Sequence, residues 1–550
     1  MPRSREPDPA TPPRRRLAAL VLVTAVLAGL AISAALWRSG ADGGDDDGGA
    51  ARAALAQTVS LQARSAPRTP GNGALHWLGG EEGCLKGTAG LARVPCPATV
   101  RGQYNVSSLA ISPDGRFAYG VSLHSGYQAD AAGKRTRDIP GGTVVAFARN
   151  RRSGVLRQLK GSAGCIRDRH APRNDVTVPC TRAGRGLTGA RTIVLSPDGR
   201  HAYVAALNDN AIAAFKRDRR TGVLRQLRGR DACVGGVPRR GVRECPRAAK
   251  GIRGIRWIAT SPDGKNLYAA APAGDSIAAF ERDPRTGGLH QLPGESACIE
   301  DRLARVKQGC PTGLGLNYPR TIAISPDGLN AYVASDSADS VYGNDPANGD
   351  AVSAFSRDPT TGALRQLPGD AACVENTVAR PTTGCPTVGR GLLDAYHVTV
   401  SPDGRFVYVG SQASRSGALA IFRREPADGR LIQLPGRNGC FGNGEGCRPA
   451  RGIKGVDSVT ISPNGRRVYV TGYFGLTVAT FARDPVSGRL TQLRRRAACV
   501  KDVDSSEPCS RSVRGLQGPR NVVLSPDVRY AYVPSSVSGT INVFRVGGAP

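Results

Sequence analysis

The sequence predicts an all-β fold, a seven-bladed β-propeller of four-stranded blades. A strand from the N-terminal side closes the ring, and one transmembrane helix precedes it. Three observations predict this. The tetrapeptide SPDG begins at Ser112, Ser196, Ser261, Ser325 and Ser401, and SPNG at Ser462 and SPDV at Ser525 complete a set of seven. A tyrosine stands seven residues after each of those serines, at Tyr119, Tyr203, Tyr268, Tyr332, Tyr408, Tyr469 and Tyr532. A phenylalanine ends a third apolar run in each copy, from Phe147 through Phe215, Phe280, Phe355, Phe422 and Phe481 to Phe544. Repeats of this length, each too small to bury its own apolar face, stack to make a core.

Within one copy the elements follow in order. A short β-type run such as "RTIVL" precedes SPDG, and another such as "HAYVAA" follows it, so Pro and Asp-Gly mark a tight antiparallel connection. The run ending in phenylalanine is the third strand. A turn like "RDPRTG" leads into a fourth, "GxLxQL", and a loop bearing two cysteines leads to the next copy. The last copy stops after "TINVFRV", and the strand it lacks is found as "GALHWL" before the first SPDG. Supplying that strand from the other end of the chain leaves no free edge. The aromatic residues are therefore packing residues between sheets rather than a base-stacking platform.

The fourteen cysteines form seven close pairs, 84/96, 165/180, 233/245, 298/310, 373/385, 440/447 and 499/509. None is C-x-x-C, so the spacing argues against zinc ribbons and redox motifs, and one pair per repeat reads as a disulfide framework in an oxidising compartment. The expected bridges join Cys84 to Cys96, Cys165 to Cys180, Cys233 to Cys245, Cys298 to Cys310, Cys373 to Cys385, Cys440 to Cys447 and Cys499 to Cys509.

The N-terminus agrees with export. Residues 1–16 read as a cytoplasmic tail ending in three arginines, and 17–37 as a signal-anchor, with a cleaved signal peptide as the alternative. Residues 38–68 are rich in Gly, Ala and Asp and read as a flexible linker, and 69–550 as the propeller. The expected location is a single-pass cell-membrane protein with an extracellular propeller, or a secreted one after cleavage.

The formal net charge is +31, and only 9 of the 75 basic residues are lysine. Such a balance suits anionic partners, although an arginine-, alanine- and glycine-rich composition also follows from a GC-rich genome. Export disfavours nucleic acid and leaves a small anionic ligand, an envelope polymer or the membrane itself.

The repeats resemble the YVTN-type, lactonase-like seven-bladed β-propeller family. The core that carries the resemblance is "ISPDGxxAYVAS…AIAAF" followed by "RDPxTGxLRQL", over residues 70–546. The resemblance implies a fold shared by sugar-acid lactonases, muconate-lactonizing enzymes and binding proteins, with polar side chains near the central channel and no obligatory metal. No cofactor is expected. Such relatives often carry Pro-His where this chain has Pro319-Arg320 and Pro519-Arg520. The cysteine loops are a further departure from the better-known enzymes.

Counting back five residues from each SPDG serine gives Ser107, Arg191, Arg256, Arg320, Tyr396, Asp457 and Arg520. This register starts the innermost strand, near the channel mouth. Four arginines there suggest a site for a carboxylate or phosphate. The next register holds Thr192, Trp257, Thr321, His397, Ser458 and Asn521. His397 as base, with Arg320 or Arg256 facing the oxyanion, is the candidate set for opening a lactone, and His124 is a second available histidine. His76, His170, His201 and His290 are placed on outer strands or loop edges. The acidic stretch 336–350 lacks the EF-hand pattern and is a weak calcium candidate; no metal ligand is named. The leading expectation is an exported binding module with a basic channel mouth for an anionic ligand, and the alternative is a lactonase-like hydrolase acting on a sugar-acid or related lactone.

Overall fold

A computed structural model describes residues 73–547, apart from 88–95, 124–125, 130–134, 140, 171–179, 237–244, 337–349, 377–383, 414–416 and 445. The proposed tail, anchor and linker, together with His124 and most of the acidic stretch, lie outside the described residues. Among those described, no helix is long and apolar enough to cross a membrane.

Seven sheets follow one another, built as blade 2 shows, except that in blade 5 the parallel piece is a single bridge between Phe441 and Arg448. Ala190–Leu195 is the inner strand, His201–Ala206 the second and Ala211–Arg217 the third. The blades depart from the expected four strands. The outer strand is broken: Leu224–Gln226 pairs with the end of the third strand, and after a 3-10 turn Cys233–Gly235 pairs with its beginning. A fifth piece, Arg247–Ala248, then runs parallel to the cysteine segment. The single strand read from "GxLxQL" is thus half of the blade's edge, and the cysteine loop that follows supplies the other half. All seven disulfides form as paired above, with Cα–Cα distances between 4.9 and 5.5 Å. Each closes the loop between the broken outer strand and the parallel piece. The bridges indicate an extracellular or periplasmic setting.

The glutamine of "RQL" has a structural reason. Gln226 accepts from the Arg185 amide at 2.9 Å and donates to the Arg185 and Ala232 carbonyls, tying its blade's edge to the segment arriving from the blade before. Gln158, Gln291, Gln366, Gln433 and Gln492 make the same kind of clasp.

The core lies between blades. The seven tyrosines and seven phenylalanines are fully buried, packed with Ala, Val and Ile of the neighbouring sheet. Burying such a ring contributes about 2–3 kcal/mol. Each tyrosine hydroxyl needs a partner there, and the third strand of the next blade provides one. Arg217 of blade 2 donates through Nε to the Tyr119 hydroxyl (2.9 Å), through Nη1 to the Gly199 carbonyl (2.9 Å) and through Nη2 to Asp114 of the SPDG turn in blade 1 (2.8 Å). Tyr119 in turn donates to the Gly222 carbonyl. Arg149, Arg282, Arg357, Arg424 and Arg483 repeat this clamp with Tyr532, Tyr203, Tyr268, Tyr332 and Tyr408. Burial pushes the Tyr119 and Tyr203 hydroxyls up to about 12. Burial would also raise Asp198, but hydrogen bonds from Ser196, the Arg200 amide and Arg282 outweigh it and hold the carboxyl down to about 2.

Ring closure is as the sequence predicts. Leu75–Trp77 pairs antiparallel with Thr540–Val546, with Leu75 opposite Val546. At this one junction the arginine clamp is missing. Asn464 stands where the other turns before it have Asp, and Val546 where the other third strands have Arg, so both charges are absent together and neither is left buried alone. The Tyr469 hydroxyl keeps its donation to the Gly73 carbonyl (2.9 Å), the counterpart of the Tyr119–Gly222 bond, and Trp77 replaces the glutamine, donating from Nε1 to the Gly83 carbonyl. The SPDV turn puts Val528 at φ 54, where sister turns use glycine; its side chain packs beside Leu75 and Tyr469 in compensation.

His201 opens the second strand of blade 2 rather than an outer strand. It is buried, and its Nδ1 faces Arg282 Nη2 at 2.9 Å, so the ring accepts and stays neutral. Burial, then the Arg282 charge, lower it to about 4.

Three outcomes follow from this architecture. Deleting residues 69–80 should lower stability by several kcal/mol, since a buried strand and its ladder are lost; an unchanged Tm would contradict closure by this strand. Asp403→Ala should destabilise more than Asn464→Ala by about 1–3 kcal/mol in urea titrations, because only the former strands a buried guanidinium. His201 has a folded value below its unfolded one, so the unfolded chain takes up a proton first as pH falls. Its contribution is complete above about pH 6.5 and is lost as pH falls toward 4. His201→Asn, the residue type found at this register in blades 3 and 4, should therefore remove about 1–2 kcal/mol of the stability lost between pH 7 and 5.

Candidate functional site

The inner strands run alongside the channel, so residues at one register share one space. Ser107, Arg191, Arg256, Arg320, Tyr396, Asp457 and Arg520 line a single cavity, with Thr192, Trp257, Thr321, Ser458 and Asn521 beneath. Its volume is about 20 Å³, room for one water. Contacts between non-adjacent blades show why it is so small. The Arg256 guanidinium of blade 3 donates to the Tyr396 hydroxyl of blade 5, and Trp257 meets His397 edge to face at 5.4 Å between ring centres. The side chains themselves fill the channel.

The four arginines are not equivalent. Arg320, 4% exposed, holds Asp336 from Nε at 2.5 Å and stacks over the Tyr318 ring at 4.3 Å. Arg520 pairs with Asp457 at 3.0 Å, donates to Ser536 and lies over Tyr473 at 4.4 Å. Arg191 and Arg256 have no carboxylate partner among the described residues. Burial, then the charge of Arg520, push Arg191 down to about 9, with the Asp457 carboxylate opposing. Burial and the charges of Arg191, Arg320 and Arg520 lower Arg256 strongly. The ring thus divides into two neutralised arginines and two adjacent bare ones in blades 2 and 3.

His397 is 8% exposed, and its Nδ1 accepts the Val459 amide of the next blade at 3.4 Å. Burial lowers it to about 4, so it is a neutral ring docked on backbone, and neither Arg320 nor Arg256 bonds to it. Asp457 lines the cavity, held through Oδ1 by Arg520 and by Gln412 at 2.6 Å. Among the described residues, no group of His, Cys, Asp and Glu is arranged to hold a metal.

Several residues of the site escape the register counted from the inner strand. Asp336, Gln412, Tyr473 and Ser536 all stand eleven residues after their SPDG serines, at the exit of the second strand. The same count that gives the inner ring gives this outer one, but Leu123, Leu207 and Pro272 at equivalent places in blades 1 to 3 hide it. The asymmetry is informative, because polar partners stand only over blades 4 to 7.

Like charges in so small a space repel. Arg191→Gln should therefore stabilise the ligand-free protein by about 1–3 kcal/mol, read as a higher urea midpoint, whereas Arg320→Gln should destabilise it by leaving Asp336 buried and unpaired. A loss of stability in Arg191→Gln would show that this guanidinium is balanced.

Comparison with known proteins places this geometry in context. Residues 187–381 match the family model described as lactonase, 7-bladed β-propeller. A 6-phosphogluconolactonase of Erwinia tasmaniensis is 26% identical over 168 residues, which is 30% of this chain and 39% of that relative. The matched segment thus spans well under half of the relative's length. Among solved structures, a periplasmic gluconolactonase of Pseudomonas aeruginosa is 20% identical, with a TM-score of 0.44 over 70% of this chain and 84% of that one. Hydrazine synthase of Kuenenia stuttgartiensis is 15% identical, also with a TM-score of 0.44, over 83% and 98%. Two such different proteins score alike, so neither carries weight for activity. With its seven blades and the match over residues 187–381, the chain resembles the lactonase-like seven-bladed β-propellers.

Proposed function

We propose that this protein is an exported lactonase-like hydrolase whose substrate carries a negative charge, bound at the channel mouth by Arg191 and Arg256. The observation that carries the reading is the convergence there of two guanidiniums without a carboxylate partner among the described residues and a carboxylate, Asp457, lining the same cavity. The family match and the 6-phosphogluconolactonase relative support the reaction class.

The chemistry asks little of the fold. Water adds to the lactone carbonyl, the ring C–O bond breaks, and the proton taken from water ends on the departing alkoxide, giving a hydroxy acid. Asp457, which lines the cavity, is the acceptor for that proton, whereas His397 is docked on the Val459 amide and does not line it. A guanidinium faces the developing oxyanion, and Arg256 is placed for it once its tyrosine contact yields. A substrate must displace the side chains that now fill the mouth. The N-terminal segment 17–37 would tether the propeller to the membrane.

The size of the cavity favours a second reading, an anion-binding module without chemistry, because one water's space admits no lactone as it stands.

Assays of the purified chain against neutral, carboxylated and phosphorylated lactones separate the two. The hydrolase reading expects turnover of a charged lactone, a loss of about 100-fold or more in Asp457→Asn, and an anion-induced rise in Tm that Asp457→Asn retains and Arg191→Gln/Arg256→Gln loses. An anion-induced rise without hydrolysis of any lactone would leave the binding module, and absence of both would remove the site.

A further inference from the structure

The chain enters each inner strand through a left-handed residue in most blades. In blades 2, 3, 6 and 7 it is glycine, Gly189, Gly254, Gly455 and Gly518, with φ between 64 and 76. At the same place blade 4 has Tyr318 with φ 51 and blade 5 has Asp394 with φ 56. A residue with a Cβ costs about 1–2 kcal/mol in this conformation, and a glycine solution exists in four sister blades.

What the two side chains do is visible for Tyr318, whose ring lies under Arg320. Asp394 is different. Its carboxylate makes no hydrogen bond or ion pair with any described residue, although the Arg320 charge acts on it and its backbone carbonyl accepts the Gln412 amide. It stands two residues before Tyr396, beside the mouth. Nearby, Asp336 is 1% exposed, and its Oδ1 is buried without a partner among the described residues. Burial raises both carboxyls, with Arg320 opposing. Blade 5 thus carries a carboxylate, Asp394, that meets no donor among the described residues, while Arg191 and Arg256 of blades 2 and 3 have no carboxylate partner there.

We infer that Asp394 is a specificity-determining residue of the mouth: it accepts hydrogen bonds from hydroxyl groups of a ligand whose anionic end lies on Arg191 and Arg256. The inference rests on the anion site proposed above, whether or not that site is catalytic. A carboxylate accepts from alcohol donors but repels anions, so one ligand satisfies both sides only if it is charged at one end and hydroxylated along its length. The left-handed backbone persists because replacing Asp394 by glycine would relieve the fold at the expense of that contact.

The test uses two carboxylates of equal charge and chain length, gluconate with hydroxyls and hexanoate without, titrated by thermal shift against the full chain. Wild type should respond to gluconate at concentrations at least ten-fold lower than to hexanoate. Asp394→Asn tolerates the same backbone and removes one negative charge, so the two responses should part: gluconate weaker, hexanoate stronger. Asp394→Gly should show the same loss of selectivity with an unchanged or higher Tm in the absence of ligand. Equal responses of wild type to the two anions, or variants in which both responses move together, would overturn the role of Asp394 while leaving the arginine site standing. A wild type that responds to neither anion would remove the arginine site and this inference with it.

Discussion

Closing seven inner strands into a ring forces side chains of one register to share a space that none of them can leave. Everything unusual about this molecule follows from what stands at that register. Four blades supply arginine, and two of these are neutralised by Asp336 and Asp457, from the exit of the second strand in blade 4 and the inner strand of blade 6. The other two face each other's fields in a cavity of about 20 Å³. In water such a pair would separate; here the ladders of blades 2 and 3 hold it together. The resulting stored repulsion is what an anion would relieve.

The ring can sustain this because its joints are strong elsewhere. The arginine clamp satisfies each buried tyrosine hydroxyl and ties the turn of one blade to the third strand of the next, with the charge only partly screened from solvent. At the closing junction the same positions are neutral, and the tyrosine keeps only the hydrogen bond to the turn glycine, Gly73, that its sisters also make. Had only one member of the Arg–Asp pair been lost, the closure would carry an uncompensated buried charge. The disulfides fix the outer rim, where each blade's edge is broken and a parallel piece must be held against it.

Much of this was legible in the sequence, for physical reasons that can be named. SPDG, the tyrosine and the phenylalanine recur because turn chemistry and packing between identical neighbours impose the same demand seven times. The missing last strand could be found because "GALHWL" keeps the leucine of "GxLxQL", and Leu75 pairs as that pattern requires. The breaking of the outer strand was not legible, since "GxLxQL" and the cysteine segment read as strand and loop when only the hydrogen bonds to the third strand unite them. The inner ring followed from counting, but its division did not. Arg320 and Arg191 look alike in sequence, and Asp336, which distinguishes them, belongs to an acidic stretch that reads as a cation loop. Tyr318 and Asp394 were hidden because a positive φ leaves no mark when the residue is not glycine.

The most direct measurement is a crystal of the protein soaked in bromide, with the anomalous signal mapped around the channel. The account predicts a bromide within hydrogen-bond reach of both Arg191 and Arg256 and none on Arg320 or Arg520, whose charges are already met. A mouth without bromide, or bromide distributed over the rim arginines alone, would contradict the claim that the ring concentrates unbalanced positive charge at its centre.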